Sequence, residues 1–152
     1  MTTPSTAFTT QDLFLHQKLT ELHCAPGVDL AAATVRSVDQ ASDAYVSCIW
    51  AFSADSPPRQ LTRGPGLDKS PRWSPQGDQL AFLSNRAGGV HQLYLMPLDG
   101  GEARQVGPLD QSVSSLRWMP DGASLLVTAS VSVNPDNRGK RTGPAAPQQG
   151  AN

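Results

Sequence analysis

Ser70-Pro71-Arg72-Trp73-Ser74-Pro75-Gln76-Gly77 is the stretch that decides how this chain is read, because it returns 45 residues later as Ser115-Leu116-Arg117-Trp118-Met119-Pro120-Asp121-Gly122. Residues 35–84 align with 80–129 at that constant offset, without a gap. Arg59/Arg104, Gln60/Gln105, Trp73/Trp118, Pro75/Pro120, Gly77/Gly122 and Leu80/Leu125 are identical pairs, and Leu61/Val106 and Phe82/Val127 are conservative ones. In each copy a proline presets φ early in a turn, and the glycine two residues on can take a positive φ at no steric cost. A period of about 40–45 residues is the length of one four-stranded propeller blade. Helix-pair solenoids have a similar period, but the segments between these turns are too short and too interrupted for helices.

One unit reads strand by strand. Pro71-Arg72-Trp73-Ser74 is a first strand, residues 79–84 a second, 91–96 a third and Arg104-Gln105-Val106 a polar outer edge. The turn at Pro75–Asp78, the loop Asn85-Arg86-Ala87-Gly88-Gly89 and the turn Asp99-Gly100-Gly101 separate them. The two inner strands are apolar at consecutive positions, Leu80-Ala81-Phe82-Leu83 and Leu93-Tyr94-Leu95-Met96. A sheet wetted on one side would alternate, so both faces of this one are covered, as in stacked blades. A worn earlier copy runs through Ala25-Pro26-Gly27-Val28, Leu30–Val35 and Tyr45–Trp50; its turn has lost the Pro-x-Gly spacing, and its next loop is expected to be about four residues longer. The fold expected is all-β: a partial β-propeller of about two and a half four-stranded blades, preceded by one short N-terminal helix. Residues 1–24 would hold the helix and lead-in, 25–133 the propeller, and 134–152 a tail.

The helix is expected over residues 9–22. Thr9 can cap it with Asp12 at N3, Phe8 and Leu13 stand at the staple positions, and Leu15, Leu19 and Leu22 recur at i, i+4, i+7. That face lacks the flanking Lys and Arg of a membrane-surface helix, so docking onto protein is expected. From Asn134 to Asn152 only alanines are apolar, a composition expected to be disordered. This tail begins where a blade should supply its third strand, so an unfinished propeller is expected, with partners limited to self-association or a missing catalytic domain.

Charge and composition narrow the function classes. Twelve basic and 13 acidic residues leave a net charge of −1, with no basic stripe for a phosphate backbone, so nucleic acid is not an expected partner. Met1–Thr10 carries no positively charged side chain, and the apolar stretch after it is broken by Asp12, His16 and Lys18, which fits neither a secretory signal nor a membrane span. The cytoplasm is the expected compartment. Cys24 and Cys48 are too few and too far apart for a zinc site or a disulfide framework, and Cys48, inside an apolar run, reads as a buried free thiol. His16, His23 and His91 share no close spacing with each other or with carboxylates, so no metal site is expected. Arg72 and Arg117 recur with the repeat, which argues for a blade-level hydrogen bond or ion pair over substrate binding. Trp73 and Trp118 read as equivalent packing between blades.

The run from Ser70 to Gly77, then Leu80-Ala81-Phe82-Leu83-Ser84-Asn85-Arg86, then Leu93 to Gly101, closely resembles the Trp-Ser-Pro-Asp-Gly type propeller repeat of the prolyl oligopeptidase family and of TolB-like proteins. The resemblance covers about residues 22–130. The helix leading into a worn Pro-Gly turn and an Ala-rich strand is similar to the start of the acylaminoacyl-peptidase-type members, which implies a propeller that limits access to a hydrolase domain. TolB-like proteins are periplasmic and carry a signal sequence, so the resemblance is read toward the peptidases. In that family the nucleophile sits in a Gly-x-Ser-x-Gly elbow followed by an Asp and a His. Here the nearest approach is Gly122-Ala123-Ser124, with Leu126 where the second glycine belongs. No catalytic residue, no metal ligand and no cofactor-binding residue is therefore assigned, and no activity is expected of the chain alone.

Overall fold

A computed structural model of the chain describes residues 8–64, 66–98 and 101–130. The tail expected at 134–152 lies outside the described residues, as do Asp99 and Gly100 of the expected third turn.

Among the described residues ten strands form three antiparallel sheets. In the first sheet β1 (Lys18–Cys24), β2 (Ala31–Asp39), β3 (Ala44–Phe52) and β4 (Arg59–Gln60) lie side by side in chain order. The second repeats that order with β5 (Asp68–Trp73), β6 (Gln79–Ser84), β7 (Gln92–Pro97) and β8 (Arg104–Gln105). The third holds β9 (Val113–Trp118) and β10 (Leu125–Ala129). Two complete four-stranded blades and half of a third make a partial β-propeller.

The same tight turn links the first two strands of every blade. In the second, the Ser74 amide donates to Gln79 O and the Gly77 amide to Ser74 O. In the third, Met119 donates to Ser124 O and Gly122 to Met119 O. Gly77 and Gly122 sit at φ 74° and 68°, the left-handed region the turn requires. The worn first copy keeps the closing bond, Ala25 N–H to Leu30 O, with Gly27 at φ 71°.

Both faces of the second blade are buried, which accounts for its unbroken apolar runs. Leu80, Phe82, Tyr94 and Met96 point to one side and join Trp73 against Ala25, Ala32 and Ile49 of the first blade. Ala81, Leu83, Leu93 and Leu95 point to the other and meet Val113 and Leu116 of the third. The Phe82 and Tyr94 rings stack at 5.8 Å, filling the space left by the alanines opposite.

Three expectations need correction. The helix is a single 3-10 stretch, Thr10–Leu15, and does not reach residue 22; Lys18–Cys24 is instead the first strand of the first blade. The Asp12 carboxylate does accept the Thr9 amide and hydroxyl at 2.6 and 2.8 Å, so the cap is formed. Beyond it, Leu15, Leu19 and Leu22 remain largely exposed, so a helical face there would have no surface to cover it, and residues 18–24 pair with the free edge of β2 instead. The extra residues of the first blade lengthen its hairpin, not its loop: β2 and β3 are nine residues long against six for β6 and β7.

The two repeat tryptophans are also unequal. Trp73 is 2% exposed inside the first interblade core, whereas Trp118 is half-buried at the edge of the second. Urea unfolding of Trp73→Ala is expected to show a loss of roughly 3–5 kcal/mol, the cost of a large buried aromatic, and Trp118→Ala a clearly smaller one. Equal losses would contradict this packing.

Candidate functional site

The first strands of the three blades converge on a cleft of about 330 Å³, lined by His23 of β1, Arg72 and Trp73 of β5, Arg117 and Trp118 of β9, and the turn prolines Pro26 and Pro75. Two β-bulges shape it. The register of β1 shifts between Thr20 and His23, and that of β5 between Lys69 and Arg72. Within these bulges Glu21 and Ser70 take φ of 56° and 54°, a conformation costing non-glycine residues about 1–3 kcal/mol each. The two strained residues bond each other across the blades. The Glu21 carboxylate accepts the Ser70 amide at 2.8 Å and its hydroxyl at 3.0 Å, and also the Thr34 hydroxyl at 3.1 Å. Burial by itself would raise the Glu21 carboxyl, but these hydrogen bonds and the Arg72 charge outweigh it and hold the group below its ordinary value.

After each bulge the chain resumes pairing, His23 opposite Ala32 and Arg72 opposite Ala81, so these two side chains occupy equivalent places in consecutive blades. The Trp73 amide donates to His23 Nδ1 at 3.2 Å. That bond makes Nδ1 an acceptor and puts the proton of the neutral ring on Nε2. The Trp118 indole N–H donates to the Arg72 carbonyl at 3.0 Å, and Arg72 Nη1 turns back to the Pro71 carbonyl at 2.7 Å. The Trp73 indole N–H is buried without a partner among the described residues.

Of the hydrogen bond or ion pair expected of the recurring arginines, Arg72 makes a hydrogen bond, and neither arginine makes an ion pair among the described residues. Among the described residues the one ion pair is Arg86 with Asp68, at 2.7 Å. Arg72 gives its hydrogen bond to its own strand, and Arg117 is exposed with no hydrogen bond among the described residues. The cleft is thus cationic and is lined by no carboxylate.

The remaining candidates lie apart from it. His16 is exposed at the end of the 3-10 helix, and His91 is half-buried beside β7 with Nε2 lacking a partner. Cys24 is exposed, and Cys48 is half-buried, not fully buried as expected, with burial raising its thiol. Among the described residues no group of three or more His, Cys, Asp or Glu could hold a metal ion. Sequence reasoning missed Glu21, and it weighed His23 only as a partly exposed structural histidine, not as a cleft residue. The signal was available at an offset of 49, where Glu21-Leu22-His23-Cys24 stands against Ser70-Pro71-Arg72-Trp73.

Residues 26–137 match the TolB beta propeller domain. The chain belongs to that family. It is also 40% identical over 126 residues to the uncharacterized peptidase YuxL of Bacillus subtilis (strain 168), a match covering 81% of this chain and 19% of that protein. Among solved structures it superposes on the uncomplexed acylaminoacyl peptidase of Pyrococcus horikoshii with a TM-score of 0.65 at 20% identity, covering 88% of this chain and 20% of that one. A TolB structure from Agrobacterium tumefaciens gives a TM-score of 0.53 at 21% identity, covering 65% and 34%. The chain thus spans about a fifth of the length of the peptidase relative, and its fold is the propeller fold seen in both solved structures.

Burial, then the charges of Arg72 and Arg117, lower the proton affinity of His23 from its ordinary 6.5. The unfolded chain therefore takes up this proton first as the pH drops. The seam's contribution is fully present above about pH 6.5 and is lost as the pH falls through the lower folded-state value. The thermal midpoint should accordingly fall between about pH 7 and 5, and fall less in His23→Asn, whose amide oxygen can still accept the Trp73 amide. Since His91 is shifted in the same direction, the difference between the two chains is the readout, and identical pH profiles would refute the assignment.

Proposed function

We propose that this chain is the opening propeller part of a serine peptidase of the acylaminoacyl-peptidase type, a substrate-gating or scaffold part with no hydrolytic activity by itself. The observation that carries this reading is the 40% identity to a peptidase over 81% of the chain. The site chemistry is consistent with a non-catalytic part: the convergent cleft offers guanidinium, imidazole and indole groups but no hydroxyl or thiol nucleophile beside a base. The reading includes a cytoplasmic location and neither nucleic acid nor membrane as partner. Among the described residues no helix is long and apolar enough to cross a membrane.

Sequencing the DNA downstream of this coding segment tests the proposal. Further 45-residue repeats followed by a domain bearing Gly-x-Ser-x-Gly, in any frame, would support it. The purified chain should not hydrolyse acylated amino-acid p-nitroanilides above the buffer rate, and hydrolysis sensitive to a serine-directed inhibitor would overturn the non-catalytic role.

The second reading, a TolB-like interaction module, is favoured by the family match over residues 26–137. It would be preferred if the downstream DNA holds repeats alone. Under either reading the isolated chain is proposed to self-associate, because a propeller covers its outer faces by closing a ring. Leu19, Leu22 and Tyr45 of the first blade and Leu126 of the third are each more than half exposed. Light scattering should show a size that grows with concentration, and a concentration-independent monomer would count against this.

A further inference from the structure

The cleft between the first strands combines two features that nothing in the fold requires to coincide. Its charged lining is Arg72, Arg117 and His23, with no carboxylate among the lining residues, and neither arginine takes part in an ion pair among the described residues. Glu21, on the first strand of the first blade, spends its oxygens on the Ser70 amide and the Ser70 and Thr34 hydroxyls and makes no ion pair with Arg72, although its charge still acts on that arginine. The rest of the lining is apolar surface from two indoles and two prolines. At about 330 Å³ the cleft lies at the lower end of the size range of small-molecule sites.

Arg72 spends one N–H on the Pro71 carbonyl, which fixes the side chain and leaves four of its five donors free. The Arg72 backbone is held in turn by the Trp118 indole. One guanidinium is therefore positioned in advance, while Arg117 is exposed and can close on a bound group. Guanidinium forks match the planar geometry of a carboxylate, and the apolar walls suit a short hydrocarbon or aromatic body behind it.

We propose that this cleft is a binding site for small amphipathic carboxylates, with Arg72 and Arg117 holding the carboxylate and the half-buried Trp118 and the turn prolines contacting the apolar body. The site is independent of the peptidase reading, since it needs only the three first strands of this chain.

Titration of the full 152-residue chain with 4-phenylbutyrate, followed by calorimetry and tryptophan fluorescence, tests it, with the neutral 4-phenylbutyramide as the matched control. Saturable binding of the carboxylate is expected, with the amide at least tenfold weaker. Arg117→Gln should weaken the carboxylate at least fivefold and Arg72→Gln at least tenfold, while Arg59→Gln, on the outer strand β4, should leave binding unchanged. Far-UV spectra and melting curves identify a variant that fails to fold. If Arg72→Gln does so, the exposed Arg117 decides the outcome alone. No saturable binding, equal affinity for the amide, or undiminished binding in Arg117→Gln would overturn the proposal, as would an equal loss in Arg59→Gln, which would indicate general charge attraction.

Discussion

Burial of the second blade on both faces is the constraint on which the rest of this structure depends. A half-wetted sheet could keep only every second residue of β6 and β7 apolar, yet Leu80 to Leu83 and Leu93 to Met96 are all buried. Each large side chain moved out of water in this way contributes about 1.5–3 kcal/mol. That gain exists only while a sheet lies on either side. The flanking blades are shaped for it: the first offers Ala25 and Ala32 opposite Trp73, Phe82 and Tyr94, while the third offers Val113 and Leu116 opposite Ala81, Leu83, Leu93 and Leu95.

Apolar stacking is non-directional and would allow the sheets to slide, so polar contacts set their alignment. Asp68, 4% exposed, is held by Arg86, whose guanidinium also lies 5.2 Å from the Phe82 ring centre and 5.1 Å from that of Tyr94. A buried carboxylate without such a partner would be costly. The Ser47 hydroxyl of the first blade donates to the Asp68 carbonyl at 2.8 Å, and the Gln76 amide reaches the Asp121 carbonyl of the third blade at 3.1 Å. With the Glu21–Ser70 bonds, these contacts fix each blade at a defined place on the next.

Much of this was legible in the sequence, because the constraint writes itself as a repeat. The Pro-x-Gly turns, the consecutive apolar runs and the identical Trp73 and Trp118 each follow from the packing, so reading them yields the blades, and the strand Gln79–Ser84 agrees with its expected bounds. The first strand was hidden for an equally physical reason. Cys24 replaces the motif tryptophan, and Leu15, Leu19 and Leu22 happen to satisfy the helical period. A period cannot report that the next strand, β2, has an unpaired edge ready for Lys18–Cys24. The site was half legible. Recurrence singled out Arg72 and Arg117 for a hydrogen bond or an ion pair, and could not choose between them, because counting repeats says nothing about where a carboxylate lies.

Stacked repeats also explain why a cationic cleft forms from residues so far apart in the chain. Each blade carries its neighbour's design with one nearly constant displacement, so equivalent side chains arrive side by side: His23, Arg72 and Arg117 line one cleft. Any charge placed at that position is therefore multiplied, and like charges accumulate unless the sequence alternates or a partner neutralises them. The first blade relieves the crowding by holding an imidazole where the second and third hold guanidinium. Burial, and after it the charges of the two arginines, depress the proton affinity of His23. A neutral ring there can accept the Trp73 amide and join the blades, which a third permanent cation could not do. The cleft thus keeps two guanidinium groups without an ion-pair partner among the described residues beside a hydrogen-bonded seam, an arrangement that favours an anion from outside the chain.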